Sequence, residues 1–227
     1  MAIVVKIGGH LLARDRLNAQ YVRELVRVLK ECFSRRRPLI VVVGGGSTAR
    51  DYIGVARNLG LSEGVCDHLG IAVSRVNALL LSSAFWNSVP PPVPDTLVEG
   101  VRQALELGIT FMGGLQPGQS TTTVAALMAE AIHAELLVIA TDVDGVYTSD
   151  PKVDPSARLL EEVSTSQLRE MFKSVGPAGG YKLLDPYTLD ILERSKIRTV
   201  ILNGLQPRNI LKAIEGEKIG TVVKVKI

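Results

Sequence analysis

Leu39-Ile40-Val41-Val42-Val43-Gly44-Gly45-Gly46-Ser47-Thr48-Ala49-Arg50 decides how this chain folds. The unbroken apolar run Leu39–Val43, with Pro38 just before it, reads as a strand buried on both faces. Three glycines end it, and Ser47 opens a helix directly after them. Gly44, Gly46 and Ala49 satisfy the G-x-G-x-x-A spacing of dinucleotide-binding folds, and Asp67 follows at a suitable distance. That reading needs a second strand ending at the acid. Residues 51–66 read as helix instead, with Tyr52, Val55, Ala56 and Leu59 on one side, so the nicotinamide reading fails. Three consecutive glycines exceed what a packing turn requires. Glycine lets backbone approach an anion closely, and N–H groups at a helix start can hold it, so phosphate is the expected ligand.

The same strand-then-glycine pattern occurs at two other places. Ala2–Ile7 reads as a strand that runs into Lys6-Ile7-Gly8-Gly9-His10, and Leu136–Ala140 as one that runs into Thr141-Asp142-Val143-Asp144-Gly145-Val146-Tyr147. Lys6 therefore points an ammonium toward the C-terminal edge of a sheet, where ligands of open α/β sheets bind. His10 sits inside its glycine turn and is expected to touch phosphate. Between these strands the spacing predicts helices from Asn18 to about Phe33 and from about Cys66 to Phe85. A further helix runs from the Thr96/Glu99 capping box to Leu107. Ile109–Met112 is a strand, and a polar turn from Gly113 to Ser120 leads into a helix to about His133. Later come a Ser164/Gln167 cap, a flexible loop at Gly176–Gly180 and a helix ending at Ser195. Strand Thr199–Leu202, helix Arg208–Ile214 and strand Thr221–Ile227 close the chain. Strands alternating with helices predict an α/β fold whose mainly parallel sheet is covered on both faces.

The composition narrows the function. Apolar residues make up 46% of the 227, enough for a sizeable core. Aromatics are only 4%, so base-stacking platforms are scarce. The formal charge of +3 suits a small anionic substrate, and the dense basic cluster Arg35-Arg36-Arg37 follows a helix, so no nucleic-acid partner is expected. Cys32 and Cys66 read as buried free thiols. The three histidines, His10, His68 and His133, show no metal-ligand spacing. No apolar run reads as a leader or a membrane span, which predicts a cytoplasmic protein without a membrane partner. No G-x-x-x-x-G-K-[ST] is present, but phosphoryl transfer needs only positioning, a metal and well-placed cations.

Two further stretches bear on chemistry. Gly113 to Thr123 offers Ser120, Thr121, Thr122 and Thr123 at a helix start, where the dipole favours an anion. Gln116 and Gln119 can read the amide-like edge of a base. Asp142 and Asp144 begin like a calcium loop but lack its other ligands, so one is expected to orient a lysine or hold magnesium.

Together Lys6–His10, Gly44–Arg50, Gly113–Thr122, Thr141–Asp150 and Leu184-Asp185-Pro186 resemble the amino-acid kinase superfamily, most of all its UMP kinase branch of short archaeal type. The resemblance implies a three-layer α/β/α sandwich with an open, mainly parallel sheet in one domain. Its part up to about residue 135 would bind the acceptor, and the part from about 136 to 227 would bind ATP. It implies transfer of the ATP γ-phosphoryl group to UMP, Mg²⁺ arriving with ATP, no metal site of the protein's own, and a homohexamer. Carried over by position, Lys6, Gly9, His10, Gly46, Arg50, Thr141, Tyr147 and Asp150 would meet ATP. Gly45, Asp67 and the loop Leu115-Gln116-Pro117-Gly118-Gln119-Ser120-Thr121 would meet UMP. Lys6, Asp142 and Asp185 would serve catalysis. His10 departs from the serine or lysine of many relatives, and the acetylglutamate branch's second lysine has no firm match, Lys182 being the nearest residue to it. The competing readings are an acetylglutamate or isopentenyl phosphate kinase of the same fold, and a non-catalytic nucleotide-binding protein.

Overall fold

The structure is a computed structural model that describes residues 2–13, 16–149, 151, 153–173 and 184–225. Apolar runs too short for a helix form the sheet. They are β1 (Ile3–Ile7), β2 (Leu39–Val43), β3 (Ile109–Met112), β4 (Leu136–Thr141), β5 (Glu162–Ser164), β6 (Arg198–Asn203) and β7 (Thr221–Lys224). The strand order is β3-β2-β1-β4-β6-β7-β5. All pairs are parallel except β6 with β7. Ile7 pairs with Val43 on one side and Ala140 on the other, so the tips of β1, β2 and β4 end level.

Alternation along the strands sorts side chains between two helical layers. Ile3, Val5 and Ile7 join a core with α2 (Ala19–Arg35), α4 (Glu63–Trp86) and α9 (Arg208–Ile214). Ala2 and Val4 join the opposite core, built with α5 (Leu97–Leu107), α6 (Thr121–Ala131), α7 (Thr165–Lys173) and α8 (Pro186–Ser195). Lys6 has the parity of Val4 and so points toward the α6 and α8 side. The remaining helices, α1 (Gly9–Leu12) and α3 (Gly46–Asn58), start at the tips of β1 and β2.

Local chemistry sets the helix starts. Asn18 Oδ1 accepts the Tyr21 N–H at 3.0 Å, and Thr96 Oγ1 accepts the Glu99 N–H at 3.2 Å. Ser164 and Gln167 form a reciprocal capping box, with bonds of 3.1 and 2.8 Å. Several expectations are corrected. The second glycine turn yields its helix one residue early, at Gly46, with Gly45 already in helical conformation as the cap. Helix α4 begins at Glu63 rather than Cys66, and α6 stops at Ala131 before the left-handed His133. Helix α1 and strand β5 were not foreseen, because four and three residues carry no readable period. Contrary to the sequence reading, α4 is long and apolar enough by length and composition to cross a membrane. It packs against α3, α2, β2 and β3, as a core helix does. Cys32 and Cys66 are buried free thiols, and burial pushes the Cys32 thiol up to about 12. The expected Gly176–Gly180 loop and the last residues of the final strand lie outside the described residues.

The first two glycine turns touch backbone to backbone. A Cβ on Gly9 would stand 2.2 Å from Gly46 N and 2.3 Å from Gly44 O, and Gly46 holds φ at +72°. Gly9→Ala is therefore expected to cost about 1–3 kcal/mol through overpacking. Gly54→Ala, in an exposed helix interior with nothing within 4 Å, is expected to gain about 0.5–1 kcal/mol. Urea unfolding of both variants checks the contrast, and equal midpoints would contradict it.

Candidate active site

The sheet reverses its order of growth at β1. From β1 the chain builds outward through β2 and β3, then returns to place β4 on the other side. Loops that leave neighbouring strands in opposite directions open a crevice at the strands' C-terminal ends. The glycine turns lie at this edge. The Gly8 N–H donates to Ala140 O at 2.9 Å, the Gly44 N–H to Ile7 O at 2.9 Å, and the Gly204 N–H to Thr141 O at 2.7 Å. The tips of β1, β2, β4 and β6 are thus tied together.

Lys6 is the partly exposed residue of the otherwise buried β1. Desolvation lowers its ammonium to about 8, and the nearby charge of Asp142 opposes that fall. Asp142 Oδ1 lies 3.3 Å from His10 Nε2 and accepts the Thr141 hydroxyl at 3.3 Å. Lys6, His10, Thr141 and Asp142 therefore form one group where β1 and β4 end.

On the α6 side, two helix starts meet at one carboxylate. Asp185 caps α8, accepting the Thr188 N–H and hydroxyl, each at 2.8 Å. It also accepts the hydroxyls of Ser120 at 2.5 Å and Thr123 at 3.0 Å, both from the start of α6. Burial would raise the Asp185 carboxyl, but the hydrogen bonds from Ser120, Thr188 and Thr123 outweigh it and hold it below its ordinary value.

Helix α4 holds the loop between β3 and α6. Asp67 Oδ2 accepts the Gly118 N–H at 2.8 Å, and Ser74 Oγ accepts the Gly114 N–H at 2.8 Å. Arg75 donates to the carbonyls of Gly114 and Leu115 at 3.0 and 3.3 Å. Asn77 Nδ2 donates to Gly44 O at 2.8 Å and Gly45 O at 3.3 Å. Within the loop, Gln119 Oε1 is buried without a hydrogen-bond partner among the described residues. Leu115 packs on the core beneath it, whereas Gln116 and Pro117 are exposed.

Beyond β4, Asp144 accepts the Tyr147 hydroxyl at 3.0 Å and the Asn203 amide at 2.8 Å. Burial and this bond raise the Tyr147 phenol above its ordinary value. Arg50 is exposed on α3. Asp150 and Lys182 lie outside the described residues.

The structure thus brings together most of the residues expected from sequence. It adds Ser74, Arg75, Asn77, Thr188 and Asn203, which were missed, and gives Thr123, read as an anion donor, a bond to Asp185 instead. A signal existed for two of them: Ser74 and Asn77 lie on the same helix face as Asp67. A cavity of about 820 Å³ near Lys196, Arg198, Glu217 and Val222 contains none of these groups, so chemistry rather than volume locates the site.

Residues 1–203 match the model of the family described as "Amino acid kinase family". The chain is 48% identical to a uridylate kinase of Thermofilum pendens, over 97% of each chain. It is 44% identical to a uridylate kinase of Hyperthermus butylicus, again over 97% of each. Its fold matches the crystal structure of uridylate kinase from Archaeoglobus fulgidus with a TM-score of 0.87 at 39% identity. That match covers 98% of this chain and 100% of the other.

The Lys6 ammonium gives a test with a definite sign. Its folded value of about 8 lies below the ordinary 10.5, so between those pH values the unfolded chain binds more protons and stability rises with pH. The stability of the wild type minus that of Lys6→Met is expected to rise from pH 8 to 10.5. Denaturant unfolding across that window measures it, and a flat difference would show that Lys6 is solvated.

Proposed function

The chain belongs to the amino acid kinase family, and on that premise we propose that its strand-tip site transfers the γ-phosphoryl group of ATP to UMP, giving ADP and UDP. The observation that carries this reading is the convergence at the tips of β1 and β2. Two interlocked glycine turns, a half-buried lysine and a hydroxyl-rich helix start meet there.

The nucleophile is a phosphate oxygen of UMP, already anionic near neutral pH, so no general base is needed. The obstacle is charge. Two unit charges at ~4 Å repel by about 4 kcal/mol at an effective dielectric of 20. Lys6 and the N-termini of α3 and α6 stand where they offset that repulsion. Asp185 acts on position: it fixes the first turns of α6 and α8 and keeps the Ser120 end of the acceptor loop in place. Asp142 holds His10 beside Lys6. Mg²⁺ would arrive with the triphosphate, and Asp142 is the nearby carboxylate that would face it. When bound, the ion supplies neutralisation of the phosphate oxygens.

The acceptor side follows from α4. Asp67 orders Gly118, and Gln119 Oε1, buried without a partner among the described residues, is an acceptor suited to the N3–H of uracil. Gly45 and the loop through Thr121 enclose UMP. On the donor side Gly9, His10, Gly46 and Arg50 would meet the phosphates, while Thr141 and Tyr147 would meet the nucleoside. A nucleotide kinase of this kind works in the cytoplasm, where its substrates are. The same proposal includes self-assembly into a homohexamer. Its support is the outer face of α4, where Val76, Leu79 and Leu80 are 63%, 44% and 36% exposed.

ADP release should depend on UMP and not on acetylglutamate or isopentenyl phosphate, and Lys6→Ala should lower kcat by on the order of 10²–10³. No UMP-dependent release from the wild type would overturn the assignment. For the assembly, Val76→Glu is expected to reduce the particle mass in multi-angle light scattering; a monomeric wild type would contradict that part.

A further inference from the structure

Helix α4 carries a buried side-chain amide, Asn77, that faces the second glycine turn. Asn77 is 8% exposed, and its Nδ2 donates to two successive carbonyls, Gly44 O at 2.8 Å and Gly45 O at 3.3 Å. A trans peptide is planar, with its C=O and N–H pointing in opposite directions. Holding Gly44 O toward α4 therefore turns the Gly45 N–H away from α4. Holding Gly45 O does the same for the Gly46 N–H. We propose that Asn77 is a positioning residue that aims these two amides at the phosphates of acceptor and donor. This rests on the reading of the strand tips as a phosphoryl-transfer site.

Three glycines in a row make such an anchor necessary. Without Cβ atoms their peptides can adopt many orientations, and anion stabilisation requires donors fixed before the reaction. The turn is restrained on its other side too. Gly44 donates to Ile7 O, and Gly46 N lies where a Gly9 Cβ would stand, 2.2 Å away. Asn77 closes the remaining freedom from the α4 side.

The residue type is demanding. A carboxamide has an NH₂ with two donors, which matches two carbonyls. Aspartate would turn lone pairs toward lone pairs. Leucine, of similar shape, would leave both carbonyls without this partner. Glutamine would carry the amide one methylene too far. Asn77 needs no contact with substrate in this role. Its neighbours Ser74 and Arg75 hold the acceptor loop in the same manner, so a single helix sets the spacing of both turns.

The test compares wild type with Asn77→Leu and Asn77→Ser, each assayed with ATP and UMP and followed by ¹H–¹⁵N NMR of the glycine amides. A misplaced catalytic group costs about 10²-fold, so kcat of Asn77→Leu should fall by about that factor, with a smaller change in either KM. Asn77→Ser, with one short donor, should fall between. In the wild type, pyrophosphate, UMP and a non-hydrolysable ATP analogue should move the Gly45 and Gly46 resonances, and in folded Asn77→Leu these shifts should be lost. Retention of kcat within about threefold in Asn77→Leu would overturn the proposal. So would wild-type Gly45 and Gly46 resonances that ignore all three ligands, a result that decides the matter even if the variants fail to fold. A wild type that phosphorylates no UMP defeats the kinase reading instead, while the pyrophosphate titration still decides whether these amides face an anion.

Discussion

Everything at this site depends on the contact between the tips of β1 and β2, where backbone meets backbone with no room for a side chain. Gly9 and Gly46 pass so closely that a single added carbon on either would collide with main-chain atoms of the other turn. That closeness brings the starts of α1 and α3 side by side at the edge where β4 also ends. Parallel pairing in strict register makes the contact possible, because strand tips that end level present their turns at one height. Side chains could supply charge here, but a small polyanion needs several donors within a few ångströms, and peptide N–H groups without Cβ atoms achieve that density.

The lysine gains its character from the same geometry. Strand alternation sends Lys6 to the α6 side of the sheet, beneath the two helix starts that Asp185 joins. Its ammonium is poorly solvated there, which lowers it to about 8 against the opposing charge of Asp142. A phosphate bound there, as proposed, would offset that desolvation, so a half-buried cation favours an anionic ligand. Around this centre α4 acts as a ruler. Its inner polar residues latch the Gly113–Ser120 loop and the second glycine turn, while its outer face is apolar and exposed.

Much of this was legible in the chain. The strands β2 and β3 were read to the residue, because short apolar runs bounded by proline or glycine leave little choice. The helix starts at Ala19, Leu97 and Thr121 followed from their capping residues. What escaped was of two kinds. Elements of three or four residues, α1 and β5, have no period to detect. Contacts distant in sequence, such as Asp185 with Ser120 or Asn203 with Asp144, depend on which strands become neighbours, and local pattern does not encode that. Asp185 illustrates both sides. The resemblance singled it out as a catalytic acid, but its caps on α8, through Thr188, and on α6, through Ser120 and Thr123, required the fold. The apolar length of α4 was underestimated because its polar residues interrupt every simple count.

The central claim is that the tips of β1, β2 and β4 seat two nucleotides with their phosphates end to end. A crystal structure with a uridine–adenosine oligophosphate, one molecule imitating both substrates, tests it most directly. The account predicts a single bound molecule whose phosphates lie against Lys6 and the Gly45 and Gly46 amides, with uracil beside Gln119 and adenosine toward Tyr147. A ligand seated with its phosphates away from these groups, or split between separate surfaces, would contradict it.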